Sequence, residues 1–329
     1  MRAIRIESGQ LHTDDRWVGP APEAGDAIVR PTLMGIGASD IAVATGRIAH
    51  EGVLGHEFVG VVEHAPDDAR ITAGQRVVGS ISAVCGVCDM CRAGLSNHCR
   101  NRRVLGLHKM HGCFSETFAI PARNLAAVPD SVPDDAAVLA EPIAAALHAA
   151  HVVRVEGKPY VTVLGDGITG LLTAQVLAAL NASVRVLGKH QSKFGRAEKW
   201  GVKHRHVDEV GRLQDQDVVV DCTGSPEGFA LAMQLVRPRG KIIARSAPAP
   251  IPNLDSAATR VAVDTTPIVV NELEVIGARC GKVAEAVAAL QAGTLDLDGL
   301  ITRRGKLAEA RSALEAAMTP DQIRVVIEA

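Results

Sequence analysis

The chain has 329 residues, 47% of them apolar and 22% charged, the composition of a soluble globular protein long enough for two cores. A net charge of -2 and only 2% aromatic residues supply neither the basic face nor the stacking platforms that nucleic-acid binding requires. No apolar run is long enough to cross a bilayer and Met1 leads directly into a strand-like segment, so the sequence predicts a cytoplasmic protein with neither signal peptide nor anchor.

In chain order, residues 1–150 read as short strands punctuated by glycine and proline. The clearest are Asp26 to Pro31, Glu57 to Glu63 and Arg76 to Gly79, and together they predict a β-rich, partly closed barrel. Seven cysteines is an odd number, and four of them (Cys85, Cys88, Cys91, Cys99) crowd into one stretch. That crowding suits metal binding in a reducing compartment better than a disulfide framework. Four thiolates on loop turns can surround one tetrahedral zinc and leave no open position, so a zinc here is structural. Ala136 to Val153 is an alanine-rich helical pattern that Pro142 should break or kink near Glu141.

From Tyr160 the texture changes to alternating strands and helices. Tyr160 to Leu164 is an apolar strand, Gly165-Asp166-Gly167-Ile168-Thr169-Gly170 a glycine turn, and Ile168 to Leu180 an apolar helix. In this GxGxxG, Gly165 permits the turn, Gly167 lets the backbone approach a pyrophosphate and Gly170 lets helix and strand pack closely; the pyrophosphate sits on the amides opening the helix, beside Ile168. Further strands are expected at Ser183 to Leu187, Asp217 to Thr223, Lys241 to Ala244 and Leu273 to Ile276, which makes a parallel sheet wound on both faces. An NAD-selecting carboxylate would stand at the end of Ser183 to Leu187, the second strand of this sheet in the chain, roughly twenty residues past the first glycines. The sequence has Gly188 there, followed by Lys189, His190 and Lys193. NADP(H) is therefore favoured over NAD(H) by charge, the plain alternative being lysines that only solvate a loop. After Gly277 come helices near Val283 to Ala292 and Leu307 to Ala317 and a last strand, Ile323 to Ile327, a tail expected to pack on the first domain.

These residues resemble the zinc-dependent medium-chain dehydrogenase/reductases, which include alcohol, polyol, threonine and glucose dehydrogenases. The likeness spans essentially the whole chain. It rests on Gly55-His56-Glu57, the four-cysteine lobe at about residues 85–99, Gly112 to Glu116, Pro121 to Asn124, Glu141-Pro142, Gly165 to Gly170 and Asp221-Cys222-Thr223-Gly224. The resemblance implies an α/β protein: a GroES-like β-barrel catalytic domain from residues 1–150 and 278–329, and a doubly wound Rossmann domain at 151–277, with an active-site cleft at their junction. It further implies a second, catalytic zinc, whose ligand positions fall on Gly37, His56, Glu57 and Glu141. Gly37 departs from the family, which has cysteine there. Ser39 is kept as the hydroxyl that passes on the substrate proton, but Ala42 replaces the histidine that extends the relay in many relatives. Three readings of the altered site stay open: a metal on His56, Glu57 and Glu141 with water; no metal, with Glu57 or Glu141 as plain acid or base; or a displaced thiolate from Cys113 or Cys280. Among the other histidines only His111 lies where a substrate role is implied.

The expected activity is interconversion of an alcohol, polyol-like or sugar-like, and its carbonyl with NAD(P)(H). The alternatives are a metal-independent reductase of the same fold and a silent NADP(H)-binding protein. A homodimer or homotetramer is expected by analogy with the family.

Overall fold

The computed structural model of the chain describes residues 1–246 and 262–329. The chain divides into two compact units, Met1–Glu141 with Val283–Ala329, and Pro142–Lys282.

Strand alternation builds the first unit. In Asp26–Gly35, Ala27, Val29, Pro31 and Leu33 are buried while Ile28, Arg30 and Thr32 are more exposed, the period of two that one covered face imposes. The main sheet runs, in spatial order, 125–127, 76–79, 57–64, 26–35, 324–328 and 301–306, with Phe118–Pro121 on the other end of Asp26–Gly35. The tail strand Arg324–Glu328 lies antiparallel to Asp26–Gly35, with Val326 opposite Gly35. This pairing carries residue 324 to the segment that follows Gly35. Met34, Leu54, Phe58, Phe114, Ile120, Val325 and Ile327 share one apolar core.

The second unit is a parallel six-stranded sheet among the described residues. Its order is 203–206, 183–188, 160–164, 216–221, 236–244, 274–277, the doubly wound arrangement in which the order reverses beside the first strand. The helix Ile168–Ala179 buries Ile168, Leu171, Leu172, Val176 and Leu177, as expected for a helix laid on a sheet. Residues 136–153 do not form one broken helix. A short helix ends at Ala137 and a second runs without interruption over Ala140–Val153. Pro142 sits in its first turn, where the missing N–H would have had no intrahelical partner, so the interruption falls before Glu141. No helix among the described residues is long and apolar enough to cross a membrane.

Candidate active site and zinc lobe

Asp40 organises a buried polar cluster in the first unit. It stands in the first turn of the short helix Ala38–Ala44 and is 0% exposed. Its carboxylate accepts from the Gly37 amide at 2.8 Å and the Gly55 amide at 3.1 Å, and it faces His56 Nδ1 at 3.1 Å. One side chain thus ties the helix start to the Gly55-His56-Glu57 motif and orients the ring. Burial opposes a charge on His56, but Asp40, Glu57 and Glu141 outweigh it and raise the ring from 6.5 to about 9. The other ring nitrogen, Nε2, is 3.8 Å from Glu57 Oε1, beyond hydrogen-bond length.

Glu57 is engaged on its far side. Its Oε2 is 3.1 Å from Arg324 Nη1, an ion pair outside hydrogen-bond geometry, and the Arg324 guanidinium also donates to the Ile36 carbonyl. Burial raises the Glu57 carboxyl, with Arg324 and His56 pulling it back. Ser39 is half-buried in the Asp40 helix and Ala42 is buried. His111 Nδ1 accepts from the Val53 amide at 3.1 Å and the ring meets Trp17 edge-on at 5.3 Å, which gives it a packing role here.

Gly37 decides how closely this cluster packs. A Cβ built at Gly37 would stand 2.9 Å from His56 Cε1, 3.0 Å from His56 Nε2 and 3.0 Å from Glu57 Oε1. The imidazole and the carboxylate lie against bare backbone, in space that a side chain at 37 would need.

The lobe is the reverse case, four donors already gathered. Cys99 Sγ is 3.5 Å from Cys85 Sγ and 3.9 Å from Cys88 Sγ, and the ligand atoms of Cys85, Cys88, Cys91 and Cys99 all lie within 4.8 Å of one another. None is in a disulfide. The Val87 and Cys88 amides lower the Cys85 thiol to about 6, while desolvation and the Cys88 contact push Cys91 up to about 12. Four cysteine sulfurs this close form a donor set that fits one tetrahedral zinc, which would hold them as thiolates. The bidentate link from Arg100 Nε to Asp89 Oδ1, 2.6 Å, and from Nη2 to Oδ2 closes the lobe outside the sulfurs.

In the second unit, Gly165 has φ +104° and a Cβ on Gly170 would fall 1.9 Å from the Gly165 carbonyl oxygen, so both positions require glycine. Gly167 caps the helix Ile168–Ala179 without a side-chain hydrogen bond, which leaves its first amides to a ligand anion. Gly188 closes the second strand, and Lys189 beyond it is exposed.

Comparison with known proteins agrees with this geometry. Residues 23–130 match the alcohol dehydrogenase GroES-like domain and residues 169–293 match the zinc-binding dehydrogenase domain. An L-threonine 3-dehydrogenase of Chelativorans sp. (strain BNC1) is 30% identical over 308 residues, 87% of this chain and 86% of the relative. The chain belongs to the zinc-type medium-chain dehydrogenase family. It is therefore an oxidoreductase built on a GroES-like domain and a parallel α/β sheet. A 2-dehydro-3-deoxy-L-galactonate 5-dehydrogenase of Pseudoalteromonas atlantica is 27% identical, covering 86% of this chain and 85% of that one. A structure described as a zinc-binding dehydrogenase from Sinorhizobium meliloti 1021 bound to NADP matches with TM-score 0.87 at 28% identity, over 100% of this chain and 99% of that chain.

Within this zinc-type dehydrogenase the residues expected to hold a second zinc do not fit one. Gly37 offers no donor, and one of the two Glu57 oxygens, Oε2, is paired with Arg324. Among the described residues the four lobe cysteines are the one group of three or more His, Cys, Asp or Glu donors that converges within 4.8 Å; His56, Glu57 and Glu141 do not form another. Cys113 does not supply the missing thiolate either. It is buried, its Sγ points at the Glu57 carbonyl at 3.6 Å, and burial holds the thiol well above its usual value. Sequence reasoning missed Asp40 and Arg324. The one available signal was a lone charge inside an apolar run, as at Arg324 before Val325-Val326-Ile327, since a buried charge needs a partner.

Proposed function

We propose that this dehydrogenase interconverts a secondary alcohol of a small polar molecule, polyol-like or sugar-like, with its carbonyl form, using NADP(H) in preference to NAD(H) and exchanging the oxygen's proton with His56. The observation that carries this reading is the His56 ring, oriented by Asp40 through Nδ1 and laid against Gly37, with Nε2 beyond hydrogen-bond length of Glu57 Oε1.

Bound NADP+ would supply the hydride acceptor, nicotinamide C4, for the hydrogen and electron pair that leave the carbinol carbon on oxidation. The O–H bond breaks, its proton passes to His56 Nε2, and the C=O bond forms. Reduction runs the same steps backwards from the imidazolium. Asp40 stabilises the imidazolium, while Glu57, locked to Arg324, and Glu141 add negative field to it. Ser39, half-buried one residue before Asp40, hands the proton to solvent, and with Ala42 following it no histidine extends that route. No step is assigned to a metal; Cys85, Cys88, Cys91 and Cys99 would hold a zinc that keeps their lobe together.

In the second unit Gly165, Gly167, Ile168 and Gly170 receive the pyrophosphate, and Gly188 with Lys189 admits a 2′-phosphate that an acidic residue would repel. The substrate class is supported by relatives named for L-threonine and for a deoxy-sugar acid. Assembly as a homodimer or homotetramer in the cytoplasm is proposed on family likeness. The test is turnover of NADPH and NADH with a panel of ketones, ketoses and aldoses, and of NADP+ and NAD+ with polyols and 3-hydroxy amino acids. Turnover with at least one member, faster with the phosphorylated cofactor, is expected; tight NADPH binding without turnover of any would contradict it.

A further inference from the structure

The parallel sheet has two ends, and the glycine turn lies at one of them, after Leu164. At the other, a cavity of about 380 Å³ opens among residues 153–159, 217–218 and 237–241. Five cations line it. Arg154 and Lys158 come from the segment that leads into Tyr160–Leu164, and Arg237, Arg239 and Lys241 from the strand Val236–Ala244. The carboxylates in the lining are Glu156 and Asp217.

Strand register explains why the cations converge. Gln216 pairs with Val236 and Val218 with Lys241, so Asp217 alone stands opposite residues 237–240 and the longer strand carries a bulge. Within the bulge Arg239 has left-handed backbone, φ +59°, with its amide bonded to the Asn271 carbonyl at 2.8 Å. Arg154, directly after the helix Ala140–Val153, is left-handed too, φ +52°. Asp217 is already engaged: Oδ1 accepts from Arg237 Nε at 2.7 Å and Oδ2 from the Tyr160 amide at 2.8 Å. Glu272 and Glu274, outside the lining, come only to 3.6 Å from Arg239 Nε and 4.0 Å from Lys241 Nζ, longer than hydrogen bonds. Exposed pairs of this kind contribute little, so they leave the cations available. Arg154 and Lys158 form no ion pair among the described residues.

We propose that this cavity binds a compact polyanion of the phosphate class, at the end of the sheet opposite the glycine turn. Cations gathered from two chain segments repel one another, and a multivalent phosphate neutralises several of them at once. The planar guanidinium groups of Arg154, Arg237 and Arg239 match paired phosphate oxygens, which a monovalent halide does not offer. Glu156, the lining carboxylate not already engaged, opposes such a ligand.

Pyrophosphate is titrated calorimetrically, at constant ionic strength, into the NADPH-saturated wild-type chain, into the double variant Arg154→Gln/Lys158→Gln and into Glu156→Gln; sulfate is titrated into the wild type in parallel. Saturable binding of pyrophosphate at one site is expected, with sulfate at least about tenfold weaker. Loss of two charge-assisted contacts predicts affinity about tenfold lower in the double variant. Removal of the opposing charge predicts affinity about threefold higher in Glu156→Gln, a gain that misfolding does not produce. NADPH affinity unchanged in both variants reports intact folding and assigns the change to this end of the sheet. No saturable binding, equal affinity for sulfate and pyrophosphate, or wild-type pyrophosphate affinity in the double variant would overturn the inference and make the five side chains a solvated face.

Discussion

In the proposed mechanism Asp40 and His56 set the chemistry at the scale of single residues. Asp40 reaches three separate groups, and only one of them is the ring. Asp40→Asn keeps the shape but removes the charge, so kcat/KM is expected to fall about a hundredfold, at the lower end of general acid-base contributions, with NADPH affinity unchanged. Steady-state kinetics beside a cofactor titration check this. The pH dependence has a definite sign. His56 is raised from 6.5 to about 9, so reduction, which uses the imidazolium, should hold up to pH 8 and decline through about 9, while oxidation, which uses the neutral ring, should rise through the same value. A raised folded value also makes His56 stabilising below 6.5, a contribution lost as pH climbs through about 9. Rate profiles in both directions, repeated for His56→Gln, separate this group from the rest. Gly37 is the residue whose meaning changed most between sequence and structure. From sequence it is a missing ligand; in the fold it is the space that lets His56 and Glu57 lie where they do.

At the scale of elements, what was legible in the sequence is what short-range geometry dictates. The strand Tyr160–Leu164, the glycine turn and the helix Ile168–Ala179 were readable almost to the residue, because φ at Gly165 and the contact at Gly170 are consequences of a few adjacent positions. Gly170→Ala tests that argument: a methyl 1.9 Å from a carbonyl oxygen forces the turn open, and NADPH affinity should fall at least about tenfold. The four-cysteine spacing was equally local. Cys91→Ser is expected to release the lobe zinc and lower the melting temperature, as metal analysis and thermal unfolding would show. The contact of Asp166 with His190, whose amide donates to Oδ2 at 2.9 Å, was not legible, although both residues were in plain view, because nothing in a sequence says which way a turn residue points. The interruption at 138–139 was placed a few residues late for a related reason: proline is a breaker only where a helix would need its N–H.

At the scale of the whole molecule, the family could be read from motifs strung along the chain, since each glycine, cysteine or GHE-type residue carries its own local requirement. The buried cluster could not, because Arg324 comes from the last strand and reaches Glu57 only through the pairing of Arg324–Glu328 with Asp26–Gly35. Long-range pairing of this kind is decided by the whole sheet. The proposed mechanism calls for one zinc per chain, in the lobe. The lobe assembles four sulfurs, whereas the His56 cluster, with Gly37 in place and Arg324 on Glu57, is arranged around an imidazole. Zinc content per chain, measured on the purified protein after dialysis against zinc-containing and then zinc-free buffer, tests this most directly. One zinc per chain, lost in Cys91→Ser but kept in His56→Gln, is expected; two zinc ions per chain, one of them lost in His56→Gln, would contradict it.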